Sequence, residues 1–118
     1  MAPVHEAALK NDVEGLRAML DAEPGLIEAE DETSSNCRPL HYACSRGHME
    51  AVRLLLDGGA FIDPKDLLGI TPLMDACEAG CLEVAVLLLA RGADPGLCSC
   101  LRWTALTFAA MAGSGAES

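Results

Sequence analysis

The side chains in this 118-residue chain with the widest catalytic and metal-binding chemistry are three histidines and six cysteines. The segment "VHEAAL" begins like the helix of a zinc protease, but Leu9 stands where the second histidine would be needed. Ser114 lies between two glycines in "AGSGAES", without the strand, sharp turn and helix that present a hydrolase nucleophile. No glycine loop ending in lysine is present, since the lysines are Lys10 and Lys65. The sequence predicts no enzyme.

The cysteines leave one chemical alternative open. Cys98 and Cys100 form a CxC motif, and Cys81 adds a third sulfur that would be available to a zinc ion. A CxC motif alone is a weak signal, and no CxxC pair occurs in the chain. We therefore predict no metal or cofactor, and keep a cysteine-based metal-binding or redox-sensing protein as the alternative function.

Charge and composition exclude several classes of partner. The chain has 18 acidic and 8 basic residues, a net charge of −10, whereas phosphate binding requires a basic surface. Nucleic acid and anionic membranes are therefore not expected partners. The first residues lack the pattern of a signal peptide, and no apolar run reaches the roughly 18 residues that span a bilayer. Cysteine content of about 5% is below that of disulfide scaffolds. We expect reduced cysteines and a cytoplasmic or nuclear location.

The chain repeats itself with a period of 33 residues. "RPLHYACSRGHMEAVRLLLDGGAF" (38–61) aligns without a gap on "TPLMDACEAGCLEVAVLLLARGAD" (71–94). The segment "VHEAALKNDVEGLRAML" aligns on the same pattern at an offset of 36, so the first unit carries about three extra residues, which we place in "EAEDETSSN". With 51% hydrophobic but only 3% aromatic residues, such units suit thin stacked helices.

Each unit reads as helix, turn, helix and extended loop. In the third unit, Thr71 is an N-cap and Pro72 occupies the first helical position, where its missing N–H is not needed. Gly80 ends this helix with a left-handed cap. Apolar residues at helical spacing predict a second helix over roughly Leu82 to Arg91. The following stretch to Trp103 has no helical period and is predicted to project as a loop.

The 33-residue period, the helix-opening strings "RPLHYA" and "TPLM" and the glycines that follow the helices resemble the ankyrin repeat family over essentially the whole chain. The resemblance implies an all-α solenoid of stacked helix-turn-helix units with projecting finger loops. We expect a single domain made of repeats at approximately 1–36, 37–69 and 70–102 and a partial repeat at 103–118. Four positions depart from the family pattern, namely Arg38, Met74, Ser99 and Arg102.

The resemblance also implies roles for the chemistry-bearing side chains. His5 and His41 occupy a slot whose histidine links finger and helix backbones through hydrogen bonds. Cys44 and Cys77 share a slot that is small and buried in the family, so we expect both in the core. Cys81 replaces a histidine of the turn between the two helices.

The family's binding surface is the concave face made of finger tips and first-helix faces. The resemblance assigns to it Ser34, Ser35, Arg46, Leu67, Leu68, Ile70, Glu78, Leu101, Trp103 and Met111. Along the fingers this surface changes from polar to apolar, and exposed bulky apolar side chains mark interaction sites. Trp103 is the best single hot-spot candidate. For Ile70 and Trp103, the alternative is packing against a neighbouring finger.

The predicted function is a non-catalytic module that binds a protein of unknown identity. Acidic residues border the fingers, so a partner with an apolar strip flanked by basic residues would match: Glu28, Glu30, Asp31, Glu32, Asp63 and Asp66. A solvated charge run is the simpler account of "EAEDE". The last unit has only "GSGAES" after its first helix, so we expect further ankyrin repeats in the full-length chain. A purely structural segment of a longer array remains an alternative.

Overall fold

The computed structural model describes residues 3–97 and, beyond them, Ser99, Thr104, Leu106 and Ala110. Residues 3–97 contain six α-helices and a short 3₁₀ helix at Pro24–Glu28. The α-helices are α1 Pro3–Lys10, α2 Val13–Ala22, α3 Pro39–Ser45, α4 Met49–Asp57, α5 Pro72–Ala79 and α6 Leu82–Ala90. Helices α1, α3 and α5 stack side by side as an inner layer, and α2, α4 and α6 form the outer layer. The predicted all-α ankyrin solenoid is confirmed.

Local capping explains why the third unit folds as the sequence predicts. The Thr71 hydroxyl accepts a hydrogen bond from the backbone N–H of Met74 (3.4 Å), and Pro72 opens α5. Gly80 adopts a left-handed φ of 73°, which glycine reaches without steric cost, and its N–H closes the last turn of the helix. Helix α6 begins at Leu82 as predicted and ends one residue earlier than predicted.

The core is built from small and medium side chains, as the composition predicts. Leu55 and Leu88 occupy the same place in successive units, and both are fully buried. Cys44 is fully buried too, whereas Cys77 is only half-buried at the edge of the core. The prediction of a buried Cys77 is therefore wrong. In the described part of the chain, α5 has a neighbouring inner helix on one side only.

The first finger differs from a solvated charge run. The backbone of Asp31 pairs with Cys37 across a tight turn, and the Asp31 side chain is buried. Its carboxylate accepts hydrogen bonds from the hydroxyl of Thr33 (2.6 Å) and the hydroxyl of Tyr42 (2.6 Å). Glu30 and Glu32 are exposed, so the prediction of a solvated run holds for them and is wrong for Asp31.

Arg38 and Glu28 join the first finger to the second repeat. Arg38 stands where the third unit has Thr71, and its guanidinium forms an ion pair with Glu28 (3.0 Å). The other oxygen of Glu28 accepts a hydrogen bond from the backbone N–H of Phe61 (2.6 Å). Because both oxygens of Glu28 form bonds within the chain, this acid stabilises the junction between the repeats and is not part of a solvated acidic border of the fingers.

Candidate protein-binding surface

Buried histidines fix the fingers to the inner helices. Nδ1 of His41 accepts a hydrogen bond from the backbone N–H of Arg38 (2.9 Å), so the ring proton is on Nε2, which donates to the carbonyl of Ile70 (2.8 Å). His5 makes the matching bond to the carbonyl of Ala29 (2.7 Å). Burial lowers the pKa of His41, which keeps the ring neutral. The linking role expected for these two histidines is confirmed.

The tip of the second finger is a tight turn held by one carboxylate. Oδ1 of Asp66 accepts hydrogen bonds from the backbone N–H groups of Leu68 (2.8 Å) and Ile70 (2.9 Å). The backbone N–H of Asp66 donates to the carbonyl of Ile70 (3.1 Å), and Gly69 takes the left-handed φ of 74° that the turn requires. The tip therefore has a defined shape before any partner arrives.

Two leucines project from this tip. Leu67 is 67% exposed and Leu68 is 53% exposed. The backbone N–H of Leu67 donates to the carbonyl of Ser35 (2.9 Å), which connects the second finger to the first. Ile70 is half-buried and packs against the core, so the packing alternative describes it better than exposure. Leu67 and Leu68 form an apolar fingertip on a fixed backbone.

The remaining predicted site residues fall into two groups. Ser34, Arg46 and Glu78 are exposed, and Ser35 is half-buried. Leu101, Trp103 and Met111 lie outside the described residues. The expected change from polar to apolar is visible between the first finger, which carries serines, and the second, which carries leucines.

The structure adds an acidic cavity that the sequence analysis missed. A concave cavity of about 380 Å³ lies between α3 and α5, lined by Ser45, Asp75, Glu78 and Ala79. Burial, and then the negative charges of Asp66 and Glu78, raise the pKa of Asp75 well above its ordinary value. The signal was present in the repeat alignment, because Asp75 follows Tyr42 by 33 residues and places a carboxylate between two buried residues of α5.

Three of the described cysteines have raised pKa values, which makes them poorly suited to act as metal ligands or redox groups. Burial and the nearby acids Asp66 and Asp75 raise the pKa of Cys37 to about 12, and burial also raises the pKa of Cys44 and Cys77. Since the thiolate is the reactive form, these three thiols are less reactive than an ordinary exposed cysteine. Within the part of the chain that the structure describes, no three His, Cys, Asp or Glu side chains are grouped to hold a metal ion. Cys98 and Cys100 lie outside that part.

The outer turns show a further difference between the repeats. Nε2 of His48 donates to the carbonyl of Leu9 in the preceding repeat (2.9 Å). Cys81 has the equivalent place one unit later, and its sulfur lies beside Gly47. Instead of a histidine bridge, a groove of about 410 Å³ runs between the turns of the second and third repeats, bordered by Gly47 and Gly80.

A sequence model described as ankyrin repeats, in three copies, matches residues 4–99. The chain belongs to the ankyrin repeat family. This family is known for protein-interaction modules, and ankyrin repeat domains are generally non-catalytic. In the part of the ankyrin chain that the structure describes, no helix has the length and apolar character needed to cross a membrane.

Comparison with curated proteins gives relatives that are much longer than this ankyrin chain. It is 38% identical over 108 residues to the probable E3 ubiquitin-protein ligase XBOS32 of Oryza sativa subsp. japonica, covering 91% of this chain and 22% of that protein. It is 35% identical over 91 residues to the ankyrin repeat protein nuc-2 of Neurospora crassa, covering 77% and 8%. It is 45% identical over 85 residues to the human ankyrin repeat and KH domain-containing protein 1, covering 70% and 3%. The chain thus spans about a fifth or less of these relatives.

Proposed function

We propose that this chain is a non-catalytic module that binds a protein partner through its finger loops and the concave face of its inner helices. The observation that carries the proposal is the apolar fingertip, where Leu67 and Leu68 are 67% and 53% exposed on a turn fixed by Asp66 and Ser35. A tip that is already ordered loses little conformational entropy on binding. The partner therefore meets a surface in its final shape.

The chemistry of the surface indicates the chemistry of the partner. Complete burial of a fully exposed leucine contributes about 1.5–3 kcal/mol, and the two leucines, which are 67% and 53% exposed, would contribute roughly half to two thirds of that each. The net charge of −10 favours a partner with basic residues around its apolar strip, and disfavours nucleic acid and anionic membranes. The proposed surface includes the polar residues Ser34, Ser35, Arg46 and Glu78 of the first two fingers and their helices. It also includes Leu101, Trp103 and Met111 from the next unit.

The test is a double substitution at the tip. The variant Leu67→Asp/Leu68→Asp places two charges in the contact, so we expect capture of the specific partner to fall by at least about tenfold, because charges against an apolar surface are costly to desolvate. Proteins retained from a cell lysate by immobilised chain would be quantified by mass spectrometry, and direct binding would then be measured with the purified partner.

A matched control separates this effect from general surface changes. Leu82→Asp/Val86→Asp makes the same chemical change on an exposed face of α6, where the two side chains are 75% and 58% exposed. A protein lost by the fingertip variant and kept by the α6 variant supports the proposal. Equal capture by the native chain and the fingertip variant, with unchanged helical melting curves, contradicts it.

A further inference from the structure

Asp66 and Asp75 connect the apolar fingertip with the concave cavity. Asp66 at the base of the tip is one of the two acids whose charge acts on Asp75, and Asp75 lines the cavity. A partner segment that covers Leu67 and Leu68 and continues past Asp66 along the inner helices would reach this acidic cavity. The two features form one surface with an apolar part and a negatively charged part.

Asp66 and Asp75 differ in whether their carboxylate oxygens can still accept a hydrogen bond from a ligand. Both oxygens of Asp66 are occupied, one by the N–H groups of Leu68 and Ile70, and the other by the thiol of Cys37 (3.6 Å). By contrast, the structure gives the carboxylate of Asp75 no hydrogen bond from the residues that it describes. Toward the described residues, Asp75 thus keeps free acceptor capacity, in a partly desolvated position where charge interactions are strong.

The neighbouring repeat provides an internal comparison. Tyr42 occupies the place of Asp75 one unit earlier, and its hydroxyl donates to the buried carboxylate of Asp31 (2.6 Å). There, the position completes a contact between a helix and the finger before it. At Asp75 the same position carries a second acid beside Asp66, so the described residues show no such internal contact and a carboxyl group lines the cavity.

We infer that the cavity at Asp75 and Glu78 receives the side chain of a lysine or arginine from a partner segment whose apolar residues cover Leu67 and Leu68. This inference rests on the proposed function and specifies the partner: a peptide stretch with one basic residue beside an apolar pair. A cation in the cavity supplies hydrogen-bond donors to Asp75 and offsets the repulsion among Asp66, Asp75 and Glu78. Glu78 is exposed at the rim, where it attracts the cation before contact.

Binding of the basic side chain is then coupled to the release of a proton from Asp75. The titratable groups that face Asp75 in the described residues are Asp66 from the finger, Glu78 from α5, Cys37 and the buried Cys44 of α3. Because the pKa of Asp75 is raised in the free protein, a bound cation lowers it and releases a proton at pH values near the raised pKa. Binding therefore strengthens as the pH rises through that range.

The probe for the test is a library of random peptides displayed on phage and selected on the native chain. We expect enriched peptides to carry a lysine or arginine next to apolar residues. A synthetic enriched peptide should bind Asp75→Asn about tenfold more weakly than the native chain, since one partner of a partly desolvated charge pair is removed. Asp21→Asn is the matched control, because Asp21 is exposed on α2 away from the cavity, and it should bind as the native chain does.

A second readout distinguishes a binding role from a structural one. Asp75→Asn removes a charge that the folded protein accommodates poorly, so its melting temperature near neutral pH should rise while peptide affinity falls. A lower melting temperature would overturn the inference, because Asp75 would then support the fold. Calorimetry of peptide binding in two buffers of different ionisation enthalpy should show proton release by the native chain and none by Asp75→Asn.

The outcomes also separate this inference from the proposed function. Enriched peptides without a basic residue, or equal binding by Asp75→Asn, overturn the inference and leave the protein-binding function standing. If no peptide binds the native chain better than it binds Leu67→Asp/Leu68→Asp, both fail. Basic peptides that lose affinity with Asp75→Asn and with Leu67→Asp/Leu68→Asp, and keep it with Asp21→Asn, support both.

Discussion

Asp31, which is buried, and Asp75, which is half-buried, show how neighbours decide the behaviour of a side chain. Hydrogen bonds from Thr33 and then Tyr42 lower the pKa of Asp31 to about 2. Burial, Asp66 and Glu78 raise the pKa of Asp75. Hydrogen-bond donors dominate at Asp31, whereas burial dominates at Asp75, to which the described residues give no donor. Asp31 stabilises the fold in its charged form, and Asp75 destabilises it in that form.

Replacing Asp31 tests this difference through the free energy of unfolding measured at acidic pH. Its folded pKa of about 2 is below the ordinary 3.8, so its contribution is present above pH 3.8 and is lost as the pH falls through about 2. Asp31→Asn should cost about 1–3 kcal/mol near neutral pH, because buried donors lose a charged acceptor. The loss of stability as the pH is lowered should also be smaller in Asp31→Asn than in the native chain.

Urea unfolding followed by circular dichroism at several pH values measures both effects. Glu32→Gln is the control, since Glu32 is exposed one residue away. An Asp31→Asn curve that runs parallel to the native one down to the lowest pH would show that Asp31 does not supply this stability.

At the scale of the helices, the sequence was a good guide because the signals are local. Thr71, Pro72 and Gly80 act on their own backbone neighbours, so the bounds of α5 could be predicted from the sequence. The buried state of Asp31 depends on Tyr42, 11 residues away, which no local pattern shows. The cavity at Asp75 requires the stacking of α3 on α5. The exposed leucines at the tip were predicted, and the acidic cavity beside them was not.

The outer face of α6 carries an apolar row. Leu82, Val86 and Leu89 are 75%, 58% and 46% exposed. One unit earlier, Met49 and Leu56 occupy the places of Leu82 and Leu89, and both pack against the core. The exposed row on α6 is therefore the kind of face that packs against the outer helix of another ankyrin repeat.

Polar substitution on this row should leave the fold intact. Leu82→Gln/Leu89→Gln removes exposed apolar area, so we expect less self-association in concentrated solution and a free energy of unfolding within about 0.5 kcal/mol of the native value. Light scattering after gel filtration and a thermal melt would measure the two effects.

The same change one unit earlier is the control. Met49→Gln/Leu56→Gln places amides in a packed interface, and it should lower stability by more than about 1 kcal/mol. Equal losses from the two double variants would show that the α6 row is already covered in solution.

At the scale of the whole molecule, each unit depends on the units beside it. The inner helix α3 packs against both α1 and α5, and the outer helix α4 packs against both α2 and α6. Repeat proteins of this kind gain stability from the interfaces between adjacent units. Helix α3 therefore has two stabilising interfaces in the described residues, and the helices on either side have fewer.

This arrangement predicts a gradient of hydrogen exchange. Backbone amides in α3, such as those of Cys44 and Ser45, should exchange most slowly, and those of α1 and α6 should exchange faster, because local opening costs less where there is one interface. Exchange followed by mass spectrometry of peptide fragments would measure the gradient. Uniform protection across all six helices would instead indicate that the chain opens only as a single unit.

The groove beside Cys81 affects how the units move against one another. The first and second repeats are joined at the outer turns by the hydrogen bond from His48 to the carbonyl of Leu9 (2.9 Å). The described residues show no such bond between the outer turns of the second and third repeats, which are held by the packing of α3 on α5 and of α4 on α6, by the bond from His41 to Ile70 and by the ion pair between Arg91 and Asp57. The outer turns are therefore the less constrained end of this interface. We expect the width of the groove at Gly47 to vary more than the spacing of the fingers, where His41 holds the carbonyl of Ile70.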